Sequence, residues 1–231
     1  MKTLLAGVGL LIMSLSASAQ NVPEEIAKKE LPKQANCVVC SANGEAHGEE
    51  KPAAGLRYKG KTYFFCSVKE VATFKKDPEA FLPPVLPRPA PKSLGVKFDG
   101  SPALLSEFRG KALLVDFWAI WCAPCVASMP DLQKLYAQNV DKGFSVVGVS
   151  IDEEGAKKVK PFLAKRKFTY PMLLDADAKA PVWKAFGVHG VPALFLIDST
   201  GHIVQQWTGK VNHKVVEQAV TELLEAEHAR K

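Results

Sequence analysis

Two cysteines separated by two residues, Cys122-Ala123-Pro124-Cys125, follow directly on the apolar run Leu113-Leu114-Val115-Asp116-Phe117-Trp118-Ala119-Ile120-Trp121. The run is rich in strand formers, and a helix-compatible stretch follows the second cysteine. A strand that feeds Cys-x-x-Cys at the start of a helix puts the first sulfur beside unpaired backbone N–H groups and the positive end of the helix dipole. Both stabilise a thiolate. A thiol with a pKa near 8.5 is only about 3% ionised at pH 7, whereas a pKa near 7 gives about half. Pro124 suits a first helical turn, where its missing N–H costs nothing. The spacing also fits half of a zinc site, but such a site takes about four ligands and no second Cys/His pair lies in this part of the chain. The pattern therefore points to a redox dithiol. Cys122, the more exposed of the two, is its nucleophile, and Cys125, one helical turn deeper, is the resolving thiol.

Cys37, Cys40 and Cys66 bring the total to five. Cys37-Val38-Val39-Cys40 opens a segment in which Tyr58-Lys59-Gly60-Lys61-Thr62-Tyr63-Phe64-Phe65-Cys66 reads as a hairpin turning at Lys59-Gly60. Val68, Val71, Ala72 and Phe74 then mark a short amphipathic helix that ends near Asp77-Pro78. Three thiolates, with Glu70 or His47 as fourth ligand, form a reasonable site for zinc, and soft thiolates also suit Cu(I). Two other readings stand beside it. One is a Cys37–Cys40 disulfide with Cys66 buried as a small apolar residue, and the other makes Cys37 and Cys40 an accessory pair that exchanges with the main dithiol.

The dithiol needs elements to hold it, and the chain from Ser93 supplies them as alternating strands and helices. Val96–Phe98 reads as a short edge strand, Leu104–Phe108 as a helical turn and Ala112–Trp118 as a strand buried on both faces. A helix runs from about Ala123 to Val140, with Met129, Leu132, Leu135 and Tyr136 inward and a kink at Pro130. A strand over Phe144–Ile151, a charged helix over 154–167, a brief strand over Pro171–Leu174 and a helix over 178–187 follow. Pro192–Asp198 and His202–Trp207 read as hairpin partners, and Asn212 caps a last helix bearing Val215, Val216, Ala219, Val220, Leu223 and Leu224.

Met1–Ala19 has the form of a secretory leader: Lys2, an apolar stretch from Leu4 to Leu15, and a small-residue Ala17-Ser18-Ala19 end. The apolar stretch is shorter than the roughly 20 residues a membrane span needs, so a periplasmic protein without stable membrane insertion is expected. Residues 20–36 are polar and read as a loose lead-in. Residues 84–92 form a proline-rich linker with Pro83 at its edge, expected as an extended semi-rigid spacer, the alternative being a loop packed on the next domain. The formal charge of +6 is mild and dispersed, and does not call for a nucleic-acid partner. With 231 residues, 47% of them hydrophobic, the chain can form an ordinary core and hold two domains.

The run VDFWAIWCAPC closely resembles the active-site segment of thioredoxins. Gly110-Lys111, Met129-Pro130 and Gly-Val-Ser-Ile-Asp at 148–152 resemble the TlpA/ResA branch of exported thiol–disulfide oxidoreductases. Covering about residues 93–227, the resemblance implies an α/β thioredoxin fold, a central mixed sheet flanked by helices, within a domain spanning 93–231. It implies that Asp116 exchanges a proton with Cys125, that Trp121 flanks Cys122, and that Val191-Pro192 is a cis-proline loop pairing with substrate. His189, near that loop, either faces the thiolate or is a solvated loop residue. The branch further implies protein thiol and disulfide clients, no cofactor for the dithiol, and a membrane electron donor, because an exported compartment does not keep a dithiol reduced.

Residues 37–83 resemble the YHS/TRASH type of small domain, here as a Cys-containing α+β unit closing in Asp77-Pro78-Glu79-Ala80-Phe81-Leu82. Three departures stand out. Glu70 replaces the second cysteine such small domains often carry, Ser128 replaces the Glu of ResA-like proteins, and Gly148 falls where thioredoxins carry a Lys. The expected function is therefore reduction of protein disulfides, with metal handling through the N-terminal unit as the alternative.

Overall fold

The computed structural model describes residues 22–43, 48–82, 84–108, 110–175 and 180–230. The expected leader and His47 lie outside these residues.

The N-terminal unit consists of β1 (Glu24–Glu25), α1 (Val38–Ala42), β2 (Ala54–Tyr58), β3 (Lys61–Phe65) and α2 (Val68–Lys76). Its antiparallel sheet has the order β1-β2-β3. Lys59 and Gly60, with φ of 48° and 75°, form the expected turn; both central residues are left-handed, as a two-residue hairpin requires. Ser67 caps α2, its hydroxyl accepting the Lys69 N–H at 3.1 Å. Leu56, Phe65 and Phe74 are fully buried, and α1 and α2 both pack on the hairpin.

Two expectations change here. Val68, expected inward, is 77% exposed, while Val71 and Phe74 face the core as read. The lead-in is not wholly loose, because Glu24 and Glu25 pair with Arg57 and Leu56. The free edge of β2 accounts for this, with the Ile26 N–H continuing the pairing to the Gly55 carbonyl at 3.1 Å.

The larger unit is built on an eight-stranded sheet. Its strands are β4 (Arg88–Pro89), β5 (Ser93–Val96), β6 (Pro102–Leu104), β7 (Ala112–Trp118), β8 (Phe144–Ser150), β9 (Met172–Leu174), β10 (Ala193–Asp198) and β11 (His202–Thr208). The spatial order is β4-β11-β10-β7-β8-β9-β5-β6, with β7, β8 and β9 parallel and the other neighbours antiparallel. Its helices are α3 (Ala123–Asn139), α4 (Ala156–Ala164), α5 (Val182–Phe186) and α6 (His213–Ala229). β7 is buried along its whole length, as its continuous apolar sequence requires. Leu113, Val115 and Phe117 meet Phe186, Phe195 and Ile203 on one face, while Leu114 lies under Leu132 and Leu135 of α3 and Val220 of α6 on the other.

The spacer expectation for residues 84–92 gives way to the packed alternative. β4 pairs with β11, the Arg88 guanidinium donates to the Phe186 carbonyl at 2.7 Å, and Leu86 and Ala90 pack on the core. Proline lacks a ladder donor, so an edge strand is where Pro89 can join a sheet. β5 begins earlier than expected and is interior, since β6 forms the edge. Residues 97–101 turn back instead, and the Asp99 carboxylate accepts the Ser101 N–H and hydroxyl at 2.9 and 2.6 Å. α4 is shorter than expected: the chain enters it through Gly155 at a φ of 49° and leaves it after Ala164.

Candidate active site

α3 begins immediately beyond β7, and Cys122 is its N-cap: the Cys122 sulfur accepts the Cys125 N–H at 3.2 Å, and Pro124 lies in the first turn. The two cysteines are joined as a disulfide with an S–S distance of 2.00 Å. Cys122, read as the more exposed of the two, is so only by a small margin: in the disulfide both are buried, at 4% and 0%, and the exposed group is Trp121 at 69%.

The peptide bond between Val191 and Pro192 is cis, as the resemblance implies. Val191 packs with the cluster that holds Cys122 and Cys125. Pro192 and Pro124 share a groove of about 270 Å³ with Ser128, Asp131, Lys210 and His213. His189 does not join the dithiol. Its exposed ring stacks on Phe81 of the N-terminal unit, centroids 5.4 Å apart.

Asp116 lies between Leu114 and Trp118 on the face that α3 covers, under the stretch from Cys125 to Leu132. It is fully buried, and neither carboxylate oxygen has a hydrogen-bond partner among the described residues. Burial pushes its pKa from the ordinary 3.8 up to about 7. A carboxyl that titrates there can take and return a proton near neutral pH. Gly148 stands directly opposite it on β8, the register assumed for the position where thioredoxins carry a Lys.

Sequence reasoning missed the role of Asp152. Its buried carboxylate accepts the Ile120 N–H at 3.0 and 3.2 Å and the Ser150 hydroxyl at 2.8 Å. It thus clamps the turn between β7 and Cys122. The one available signal was its place in Gly-Val-Ser-Ile-Asp, which gives a position but no partner.

In the N-terminal unit the sulfurs of Cys37, Cys40 and Cys66 converge, all within 4.8 Å of one another. All three are free thiols, with Cys40 and Cys66 sulfurs 3.5 Å apart, so the Cys37–Cys40 disulfide is not what forms here. Burial pushes the Cys40 and Cys66 thiols up. Burial acts on Cys37 in the same direction, but the backbone N–H groups of Cys40 and Cys66 and the adjoining thiols outweigh it and hold Cys37 below its ordinary value. The Glu70 carboxylate accepts the Ser67 hydroxyl and lies beside Cys66. Three converging sulfurs, two of them buried and one ionisable by local hydrogen bonds, fit a soft or borderline metal ion. At the far end of α1, the Asn43 carbonyl abuts Gly190, next to the cis-proline loop, where a Cβ would lie 2.1 Å from that oxygen.

The Redoxin family matches residues 87–223. The thiol–disulfide oxidoreductase ResA of Bacillus thuringiensis subsp. konkukian is 30% identical over 129 residues, 56% of this chain and 73% of the relative. ResA of Geobacillus kaustophilus is 30% identical over 128 residues, 55% of this chain and 72% of the relative. The crystal structure of a thiol:disulfide interchange protein DsbE from Chlorobium tepidum superposes with a TM-score of 0.54 at 30% identity, covering 60% of this chain and 96% of that one. A thioredoxin domain of a Bacteroides vulgatus thiol–disulfide oxidoreductase gives 0.54 at 28%, covering 62% and 99%. Mixed sheet, flanking helices and relatives agree with the thioredoxin fold and the TlpA/ResA resemblance. The chain belongs to the Redoxin family and is a thioredoxin-fold thiol–disulfide oxidoreductase of the ResA/TlpA-like kind.

Proposed function

We propose that the protein is exported and reduces disulfides in client proteins through Cys122 and Cys125. The observation that carries this reading is the dithiol at the start of α3, beside the cis Val191–Pro192 loop and over a buried carboxyl. The reduced Cys122 thiolate attacks a client disulfide, one client sulfur leaves with its electron pair, and a Cys122–client disulfide forms. Asp116 then accepts the Cys125 proton, and the Cys125 thiolate attacks the Cys122 sulfur. The Cys122–client bond breaks, the Cys122–Cys125 bond forms, and the second client sulfur leaves as a thiolate that takes a proton from solvent. The client gains two electrons and the dithiol loses them. Trp121 and Val191 would present the extended client backbone to the sulfur.

Export rests on the leader-like Met1–Ala19 segment, and the ResA and DsbE relatives are consistent with it. Among the described residues no helix is long and apolar enough to cross a membrane. An exported dithiol needs an electron source, and a membrane donor is the proposed one. Turnover with insulin disulfides and dithiothreitol tests the reaction: the wild type should accelerate it, and Cys122→Ser should bring it to the uncatalysed rate. Equal rates for the two proteins would overturn the reading.

A second reading adds to the first. The convergence of the Cys37, Cys40 and Cys66 sulfurs supports a metal function of the N-terminal unit. These three would hold Zn²⁺ or Cu⁺, with Glu70 beside Cys66 as the fourth donor, and the ion would supply cross-linking of α1 to the hairpin.

A further inference from the structure

Among the described residues, five buried side-chain nitrogen and oxygen atoms lack a hydrogen-bond partner. One is Nε of Arg88, and the other four are both oxygens of Asp116, Nε1 of Trp118 and the hydroxyl of Tyr170. The three residues that carry those four atoms all adjoin Gly148. Gly148 faces Asp116 across the β7–β8 ladder, and neighbouring strands lie only about 4.8 Å apart. A Cβ on Gly148 would stand 3.1 Å from Trp118 Nε1, 3.3 Å from Tyr170 Cε2 and 2.6 Å from Met172 Sδ. The place of a side chain at 148 is thus taken by the Met172 sulfur, the edge of the Trp118 indole and the Tyr170 ring, beside the strand position of Asp116.

The chemistry of these atoms is complementary. A carboxylate only accepts, an indole N–H only donates, and a neutral phenol can donate. Two acceptor oxygens and two donors, none of them partnered among the described residues, lie in one buried region. Burial first, and the Asp116 charge second, hold the Tyr170 hydroxyl above its ordinary pKa, so it keeps its proton. Around Asp116, α3 presents Cys125 and Met129, β8 presents Gly148 and β10 presents Leu194. None of these is cationic. The Asp152 carboxylate at the end of β8 is engaged by the Ile120 N–H and Ser150.

We propose that Tyr170 is a positioning residue for Asp116: with the Trp118 indole N–H it supplies the donors that hold the ionised carboxylate beneath α3, and so sets the pH at which Cys125 can be deprotonated. The proposal rests on Asp116 being the base of the resolving step. Tyr170→Phe keeps the ring and removes the donor, and Trp118→Phe removes the other. The carboxyl resonance of Asp116 is followed by ¹³C NMR against pH in the oxidised full chain, beside the pH profile of the resolving step.

Losing a donor to a carboxylate should raise the Asp116 pKa by about one unit in each variant and move the rate profile to higher pH by the same amount. Purely structural damage would lower the melting temperature without moving that titration. An Asp116 pKa unchanged or lowered in whichever variants fold overturns the role of Tyr170 while leaving Asp116 as the base. A resolving step that Asp116→Asn does not slow removes the reading beneath it, and the proposal with it.

Discussion

Asp116 carries opposite consequences for stability and for chemistry. Its folded pKa of about 7 exceeds the ordinary 3.8, so the native state binds this proton more tightly than the unfolded chain does. Its contribution to stability is complete below about pH 4 and is lost as the pH rises through about 7. The rise in pKa corresponds to roughly 4 kcal/mol. Asp116→Asn should therefore match the wild type in urea unfolding of the oxidised protein at pH 4, and exceed it at pH 8 by up to that amount. The same substitution should slow the resolving step by roughly 100-fold near neutral pH, the scale of one general acid–base group. The first attack on the client should change little. Equal stability differences at the two pH values would show that the carboxyl does not titrate in this range.

At the scale of elements, the site depends on how β7 hands the chain to α3. Ile120 lies in that turn, and its N–H is satisfied by Asp152 alone among the described residues. Asp152→Ala orphans a part-buried donor, at a cost of about 1–3 kcal/mol. The expected result is lower stability by that amount together with slower insulin reduction, because Cys122 is two residues away. Asp152→Asn, which keeps one acceptor oxygen, should lose less of both. This clamp also shows what a single sequence conceals. β7, the dithiol and α3 were legible because an apolar run, Cys-x-x-Cys and a helical stripe are local patterns. So were the Lys59-Gly60 turn and the Asn212 cap, whose side chain accepts the Lys214 N–H at 3.1 Å. The partner of Asp152 is 32 residues away, and no local pattern names it. β4 and β1 were hidden for the same reason, since each forms by pairing with an edge that only the folded chain presents.

At the scale of the whole molecule, the chain joins two cysteine sites through one contact surface. α1 carries Cys40, has Cys37 as its N-cap, and ends at Asn43 against Gly190 beside the cis-proline loop. A metal on Cys37, Cys40 and Cys66 would tie α1 to the hairpin and hold that contact in place. The reduced full-length protein should then bind about one Zn²⁺ or Cu⁺, release protons on binding because thiolates are the ligands, and bind more weakly as the pH falls. Cys66→Ser should bind much less. Metal content near zero in both proteins would leave Cys37 and Cys40 as an accessory thiol pair. The convergence of these three cysteines was only partly legible: their types suggested it, but the meeting of Cys40 and Cys66 depends on how α1 docks on the hairpin.

The most direct test of the dithiol mechanism is trapping. Cys125→Ser, incubated with a disulfide-bonded protein client, should accumulate a mixed disulfide through Cys122, visible on non-reducing gels and by mass spectrometry. Cys122→Ser should accumulate none. If the Cys122→Ser protein traps the client and the Cys125→Ser protein does not, the assignment of nucleophile and resolving thiol is reversed and the account of the site fails.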